Sequence, residues 1–298
     1  MNKNIGFIGF GEAAYNICIG FKEEGLKGIK AFDVLLEDKD KSQILEKRLS
    51  GANVEPIYSI KELVNDCEIM FLAVPAKFAK GTAENVLDFM TESKILIDIT
   101  TNRPHIKKEL GDLYKNKGML YTDASVMGAV PLYKHKTPIL VCGNGGNKMI
   151  NLLTPIGMDL TYVGEEAGIA VKMKLTRSIF VKGLEALTLE TLQTARKLGI
   201  EKEIMDGLNK SFEVQGFTKM VSQLVISNLL HSKRRAIEAE ECAELEKELG
   251  FVPIMIEAAQ KKLEWSAALG LSELEESRSC KTLGDLYNIW ESKIFDNL

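Results

Sequence analysis

The chain of 298 residues is poor in the residue types that build disulfide frameworks and metal sites. Its five cysteines, Cys18, Cys67, Cys142, Cys242 and Cys280, are an odd number, widely scattered and without paired spacing. A disulfide scaffold is therefore excluded, and the pattern points to reduced thiols in a cytoplasm, mostly core fillers. The three histidines, His105, His135 and His231, stand at no metal-ligand spacing to each other or to a cysteine, so no metal site is expected. No stretch approaches the roughly 20 apolar residues of a membrane-spanning helix. The apolar part of the N-terminus is too short for a signal peptide. A basic excess is missing too: 38 Lys and Arg face 42 Asp and Glu, a net charge of −4. No footprint for nucleic acid or an acidic membrane follows from that balance.

What is present is a soluble globular composition, 45% apolar and 27% charged, long enough for about two domains. Residues 1–163 alternate short apolar runs with amphipathic stretches. "NIGFIGF", "IKAFDV", "CEIMFLAVP", "KILIDIT", "MLYTDASV" and "TPILVCG" read as six strands separated by helical segments. Such spacing predicts a doubly wound α/β domain with a parallel, Rossmann-type sheet covered on both faces. From residue 164 to 298 strand-like alternation nearly disappears. A proline-free helix of some 30 residues begins after Gly168, a second tract runs from Ser211 to Gly250, and shorter helices follow. An all-α C-terminal domain that serves substrate binding and oligomerisation is expected there.

The first strand runs into Gly9-Phe10-Gly11-Glu12-Ala13-Ala14, a G-x-G-x-x-A turn, and Asp33 ends the next strand 22 residues after Gly11. A strand, this turn, a helix and an acid at that distance form the dinucleotide-binding fingerprint. Gly9 makes the tight turn, Gly11 admits the pyrophosphate, and Ala14 keeps the helix close to the sheet. The N–H groups of the first helical turn, around Phe10, Glu12 and Ala13, face the phosphates. Asp33 is expected to accept from the adenosine ribose hydroxyls. With Glu37 and Asp38 nearby and no arginine to receive a 2′-phosphate, NAD is expected over NADP, although NADP is possible.

Four further stretches resemble the β-hydroxyacid dehydrogenase family, which includes 3-hydroxyisobutyrate and 6-phosphogluconate dehydrogenases. "FLAVPAKFA" (71–79) is similar to the strand-end loop beside the nicotinamide ribose, and "IDITTNRP" (97–104) to an Asp-x-Ser/Thr-Thr-x-x-Pro segment. "TDASVMGAVPLYKHKTPILVCGNGG" (122–146) resembles the substrate loop and closing strand, and "GIAVKMKLTRS" (168–178) the interdomain helix. "RSIFVKGLEAL", "HSKRRAIEAEE" and "KKLEW" look closer to a less characterised branch with a phosphogluconate-dehydrogenase-like C-terminal domain. The resemblance implies cofactor contacts at Ala73, Val74, Pro75 and Thr101. It puts the catalytic lysine on Lys174, six residues after Gly168, rather than on Lys172 or Lys182. Ser178, one helical turn on, is a second catalytic candidate.

The chain also departs from the family. A Ser-Gly-Gly substrate loop becomes Met127-Gly128-Ala129, leaving the Gly128 backbone N–H as the substrate contact. Two asparagines after the lysine become Arg177 and Ser178. Arg177 is either a fork for a carboxylate or phosphate, or a surface arginine paired to a glutamate. Arg234 and Arg235, with Glu238, are secondary substrate-site candidates implied by the resemblance. His231, Met127 and Trp265 read as surface or packing residues.

The expected activity is hydride transfer between NAD and a small anionic β-hydroxy acid, with Lys174 handling the proton. Imine reduction and a non-catalytic dinucleotide-binding role are the alternatives. A homodimer or higher homo-oligomer is expected, with no nucleic-acid or membrane partner.

Overall fold

The computed structural model describes residues 4–38 and 42–297. They fall into two compact units, Met1–Ile179 and Phe180–Leu298. The first unit is built on one eight-stranded sheet. Its strands are β1 (Ile5–Ile8), β2 (Lys30–Phe32), β3 (Glu55–Ile57), β4 (Ile69–Leu72), β5 (Ile95–Asp98), β6 (Leu120–Val126), β7 (Ile139–Cys142) and β8 (Leu160–Gly164). They lie in the order β3-β2-β1-β4-β5-β6-β7-β8. Helices α1 (Glu12–Glu23), α2 (Ser42–Ala52), α3 (Ile60–Asp66), α4 (Ala76–Leu87), α5 (Pro104–Asn116), α6 (Val130–Tyr133) and α7 (Gly146–Leu153) connect them.

Alternate residues of the central strands feed two different cores. Phe7, Ile69, Phe71, Ile95 and Ile97 point into one cluster with Ile17 and Phe21 of α1. Ile8, Met70, Leu72 and Leu96 point into the other with Ala83 of α4 and Tyr114 of α5. Both faces of the sheet are apolar and both are covered, which is why its strands read as continuous apolar runs. The order reverses between β1 and β4, so the crevice beyond their carboxyl ends is the place where such folds bind ligands.

Two strands escape the sequence reading, and both are edges. Only three residues long, β3 contains Pro56, which a strand tolerates at an edge because it cannot donate to the ladder. At the other edge β8 runs into the expected domain boundary. One pair is not parallel: β7 runs antiparallel to β6, with Ala124 opposite Val141. Only α6 and one 3₁₀ turn separate the two, too little for a covering crossover helix, so the chain returns alongside itself.

Helix α8 (Ile169–Leu198) starts in the first unit, where Ala170 and Val171 are fully buried, and continues into the second. The second unit holds α9 (Glu201–Gln215), α10 (Phe217–Glu248), α11 (Ile254–Ala268), α12 (Glu275–Ser279) and α13 (Leu283–Lys293). The expected tract from Ser211 to Gly250 is broken at Gly216, which closes α9 and opens α10. Leu229, Leu271, Leu286 and Ile289 form this unit's own core. No helix among the described residues is long and apolar enough to cross a membrane.

Candidate functional site

The glycine turn follows β1 directly. Gly9 has φ +87°, and a Cβ there would stand 2.7 Å from the Ala73 carbonyl oxygen and 2.9 Å from Val74 Cγ1. Only glycine lets the β1 turn pass this close to the loop Ala73-Val74-Pro75, which leads from β4 into α4. At Gly11 a Cβ would meet nothing within 4 Å, and no side chain caps the first turn of α1. The first-turn N–H groups of Glu12 and Ala13 thus border open space at the positive end of the helix dipole, a cradle that fits a pyrophosphate. Beneath it, Ala14 is fully buried against the sheet. Phe10 sends its ring into the core, edge-on to Phe7, while its N–H donates to Asp33 Oδ2 at 2.8 Å. The other Asp33 oxygen accepts from Leu35 N–H at 2.9 Å. One donor on each oxygen fixes the carboxylate at the end of β2 and leaves lone pairs for ribose hydroxyls.

Where the end of β5 meets the middle of β6 lies a cluster that periodicity does not reveal. Asp98 and Asp123 are register partners on neighbouring strands, and both are fully buried. Two adjacent buried carboxylates are tolerable only with compensation. Lys107 of α5, itself fully buried, provides it: its ammonium lies 2.9 Å from Asp98 Oδ1 and 3.4 Å from Asp123 Oδ1. Tyr121 O–H donates to Asp98 Oδ2 at 2.7 Å, and the Thr100 N–H and hydroxyl donate to Asp98 Oδ1. Burial, reinforced by Asp98, pushes the Tyr121 phenol well above its ordinary range.

The second oxygen of Asp123 caps α8. It accepts from Gly168 N–H at 3.0 Å and Val171 N–H at 3.3 Å, while Ala170 N–H donates to Cys142 Sγ at 3.3 Å. Gly168 has φ +100°, and a Cβ there would sit 2.7 Å from the Pro104 carbonyl oxygen. The start of α8 is thereby fixed against α5 and β6.

Six residues after Gly168, the Lys174 ammonium donates to Thr101 Oγ1 at 2.8 Å. Burial, and then the Lys107 cation, hold the Lys174 pKa below the ordinary lysine value, with Asp123 pulling the other way. Lys172 is exposed, and Lys182 is exposed and paired with Glu185 at 2.7 Å. Ser178 donates its hydroxyl to the Lys174 carbonyl at 2.8 Å, so it is tied to the helix backbone. Arg177 is exposed, and among the described residues no carboxylate pairs with it. Gly128 is exposed just beyond β6.

Arg234 and Arg235 belong to α10 in the second unit. Arg234 pairs with Glu238 at 2.6 Å, both exposed. Arg235 donates to the Leu224 carbonyl and to Ser227 Oγ. Trp265, expected to pack, is 45% exposed beneath the Lys262 ammonium.

The sequence reading passed over Lys107, Tyr121 and the aspartates they bind. A lysine on an amphipathic helix reads as solvated. The available signal was an aspartate in each of two adjacent strands, Asp98 at the end of β5 and Asp123 within β6.

Residues 4–164 match the family model of the NAD binding domain of 6-phosphogluconate dehydrogenase. Residues 195–266 match a domain of unknown function, DUF1932. An uncharacterized 28.5 kDa protein of Methanothermus fervidus is 27% identical over 259 residues, 86% of this chain and 96% of its own length. A solved conserved protein of unknown function, described as structurally similar to 3-hydroxyacid dehydrogenases, is 26% identical with a TM-score of 0.58, covering 89% of this chain and 98% of its own. An imine reductase from Myxococcus stipitatus, solved with NAD+, shares the fold with a TM-score of 0.70 at 17% identity, covering 91% and 96%. The chain thus belongs to the family of the 6-phosphogluconate dehydrogenase NAD-binding domain and is an NAD(P)-binding oxidoreductase with a DUF1932 C-terminal region.

Proposed function

We propose that the chain is a dehydrogenase of small β-hydroxy acids in which Lys174 exchanges the proton of the reacting hydroxyl. The observation that carries this reading is the Lys174–Thr101 contact of 2.8 Å. It holds an amine of lowered pKa beyond β5, with its helix anchored on Asp123. The bound dinucleotide supplies the hydride chemistry, and Gly9, Gly11, Glu12, Ala13 and Asp33 are the residues that fit it. As a free amine, Lys174 accepts the hydroxyl proton during oxidation; as an ammonium, it returns the proton during reduction. Thr101 orients the amine. Unpaired Arg177, three residues on, supports an anionic substrate. NAD is the preferred cofactor on this reading, because Asp33 repels a 2′-phosphate.

A screen of hydroxy acids for NADH absorbance tests the reading, followed by Lys174→Ala and Lys172→Ala. Lys174→Ala is expected to abolish turnover while NAD affinity holds, and Lys172→Ala to be mild. Full turnover in Lys174→Ala removes the proposed role. Turnover of imines and of no hydroxy acid makes the chain an imine reductase. NAD binding without any turnover makes it a sensor or scaffold.

A homo-oligomer, a dimer at least, belongs to the same proposal. Met205, Leu208 and Phe212 share one face of α9, and all three are exposed. An apolar face of this kind is a common site of self-association. Sedimentation measures it, and a monomer at micromolar concentration contradicts it.

A further inference from the structure

We propose that a cleft between the first turns of α4 and α5 binds a phosphate or carboxylate group of the substrate, held by Lys77 and Arg103 with His105 as a third donor. The assignment rests on Lys174 being at the reacting end of the site. The cleft measures about 540 Å³, and four of its lining residues are basic while none is acidic. In a chain of net charge −4 that is a local excess, not background. One of the four, Lys80, is matched by Glu109 at 2.7 Å. Among the described residues the Lys77 ammonium has only the Phe78 ring, 4.7 Å away, and the Arg103 guanidinium has no acceptor.

The walls are tied to each other. Asn102 donates its amide to the Ala76 carbonyl at 3.1 Å and accepts the Arg103 N–H at 2.8 Å, joining the start of α5 to the start of α4. Thr101 lines the same cleft and accepts from Lys174. A substrate whose reacting carbon meets Lys174 therefore extends past Thr101 toward the cations. None of the lining residues comes from the glycine turn or from Asp33, so this is not the pyrophosphate cradle. A guanidinium fork beside an ammonium suits a compact anion with several acceptor oxygens.

Because the chain has only three histidines, His105 is a ready reporter, assigned in a histidine-labelled NMR spectrum with His105→Gln. Inorganic phosphate and malonate are titrated separately into NAD-saturated protein. At least one is expected to shift the His105 ring signals saturably while His135, which is buried, stays still. Arg103→Met and Lys77→Met are each expected to weaken that binding about tenfold, as loss of a charge-assisted contact does. The tighter anion tells a phosphate ester from a second carboxylate. Absence of a saturable shift with either anion overturns the proposal. So does a shift seen only without NAD and abolished by it, which returns the cleft to the dinucleotide. Lys174→Ala is expected to leave anion binding intact, so failure of the proton-transfer role is read separately from failure of the cleft.

Discussion

Lys107 holds Asp123 at 3.4 Å in the protein interior, and Asp123 in turn holds the first turn of the helix that carries Lys174. With Asp98 at 2.9 Å on its other side, one cation serves two buried carboxylates. Removing it leaves both without their counter-charge. Lys107→Met is therefore expected to cost about 3–5 kcal/mol of unfolding free energy. Urea denaturation of the NAD-free protein measures this, and a loss below about 1 kcal/mol would mean that the carboxylates are compensated by other means.

If Lys174 exchanges the proton as proposed, the same cation acts on the reaction through pH. Lys174 titrates below its ordinary value of 10.5 because of burial and Lys107. A lowered pKa means more free amine at a given pH, so the oxidation rate should rise with pH and level off below 10.5. Lys107→Met removes the neighbouring cation while Asp123 and the burial stay as they are, so the Lys174 pKa rises. The rising limb should then move to higher pH, in kcat and in the modification rate of the Lys174 amine alike. A limb that stays in place breaks the electrostatic link.

Gly168→Ala tests the anchoring of α8. At φ +100°, with the Pro104 carbonyl oxygen 2.7 Å from the new Cβ, both backbone and space oppose it. A cost of about 1–3 kcal/mol is expected, measured by thermal unfolding. Turnover should fall with NAD affinity preserved, since the glycine turn at Gly9 is untouched. Equal loss of both would show that the strain spreads through the sheet.

On the proposed reading, Asp33 sets the preference for NAD over NADP. Its carboxylate is fixed by the Phe10 and Leu35 N–H groups, so it cannot swing away from a 2′-phosphate. Asp33→Ser is expected to move the ratio of kcat/KM toward NADP by about tenfold or more, about 1.4 kcal/mol. A native preference for NADP of that size contradicts the assignment.

Arg177→Met is expected to raise KM for the acid by about ten- to a hundredfold, the range of a charge-assisted contact. Methyl esters of the substrate should be poor with the native enzyme and little changed by the substitution. An unchanged KM returns Arg177 to the status of an ordinary surface arginine.

Much of the fold is local and so was legible in the chain. The glycine turn, the strand before it and Asp33 after the next strand obey spacings set by turn geometry and strand period. The roughly 30 proline-free residues after Gly168 are one helix, α8, because nothing in them interrupts its backbone ladder. Edge strands β3 and β8 were missed because short strands beside Pro56 or at a boundary carry little period of their own.

The ion cluster is another matter, because its members lie far apart in the chain. Lys107 reads as one more solvated lysine on α5 until the pairing of β5 with β6 sets Asp98 opposite Asp123. That pairing depends on register across the sheet, which no run of consecutive residues encodes. The basic cleft arises the same way: Lys77 and Arg103 follow different strands and share a wall because β4 and β5 are neighbours. The sequence by itself determined where the chain turns and which segments are helix or central strand, since those follow from nearest-neighbour geometry. Which charges face each other inside, and hence the lowered pKa of Lys174, was decided by tertiary structure, because Coulomb energy depends on distance in space and burial, not on separation along the chain.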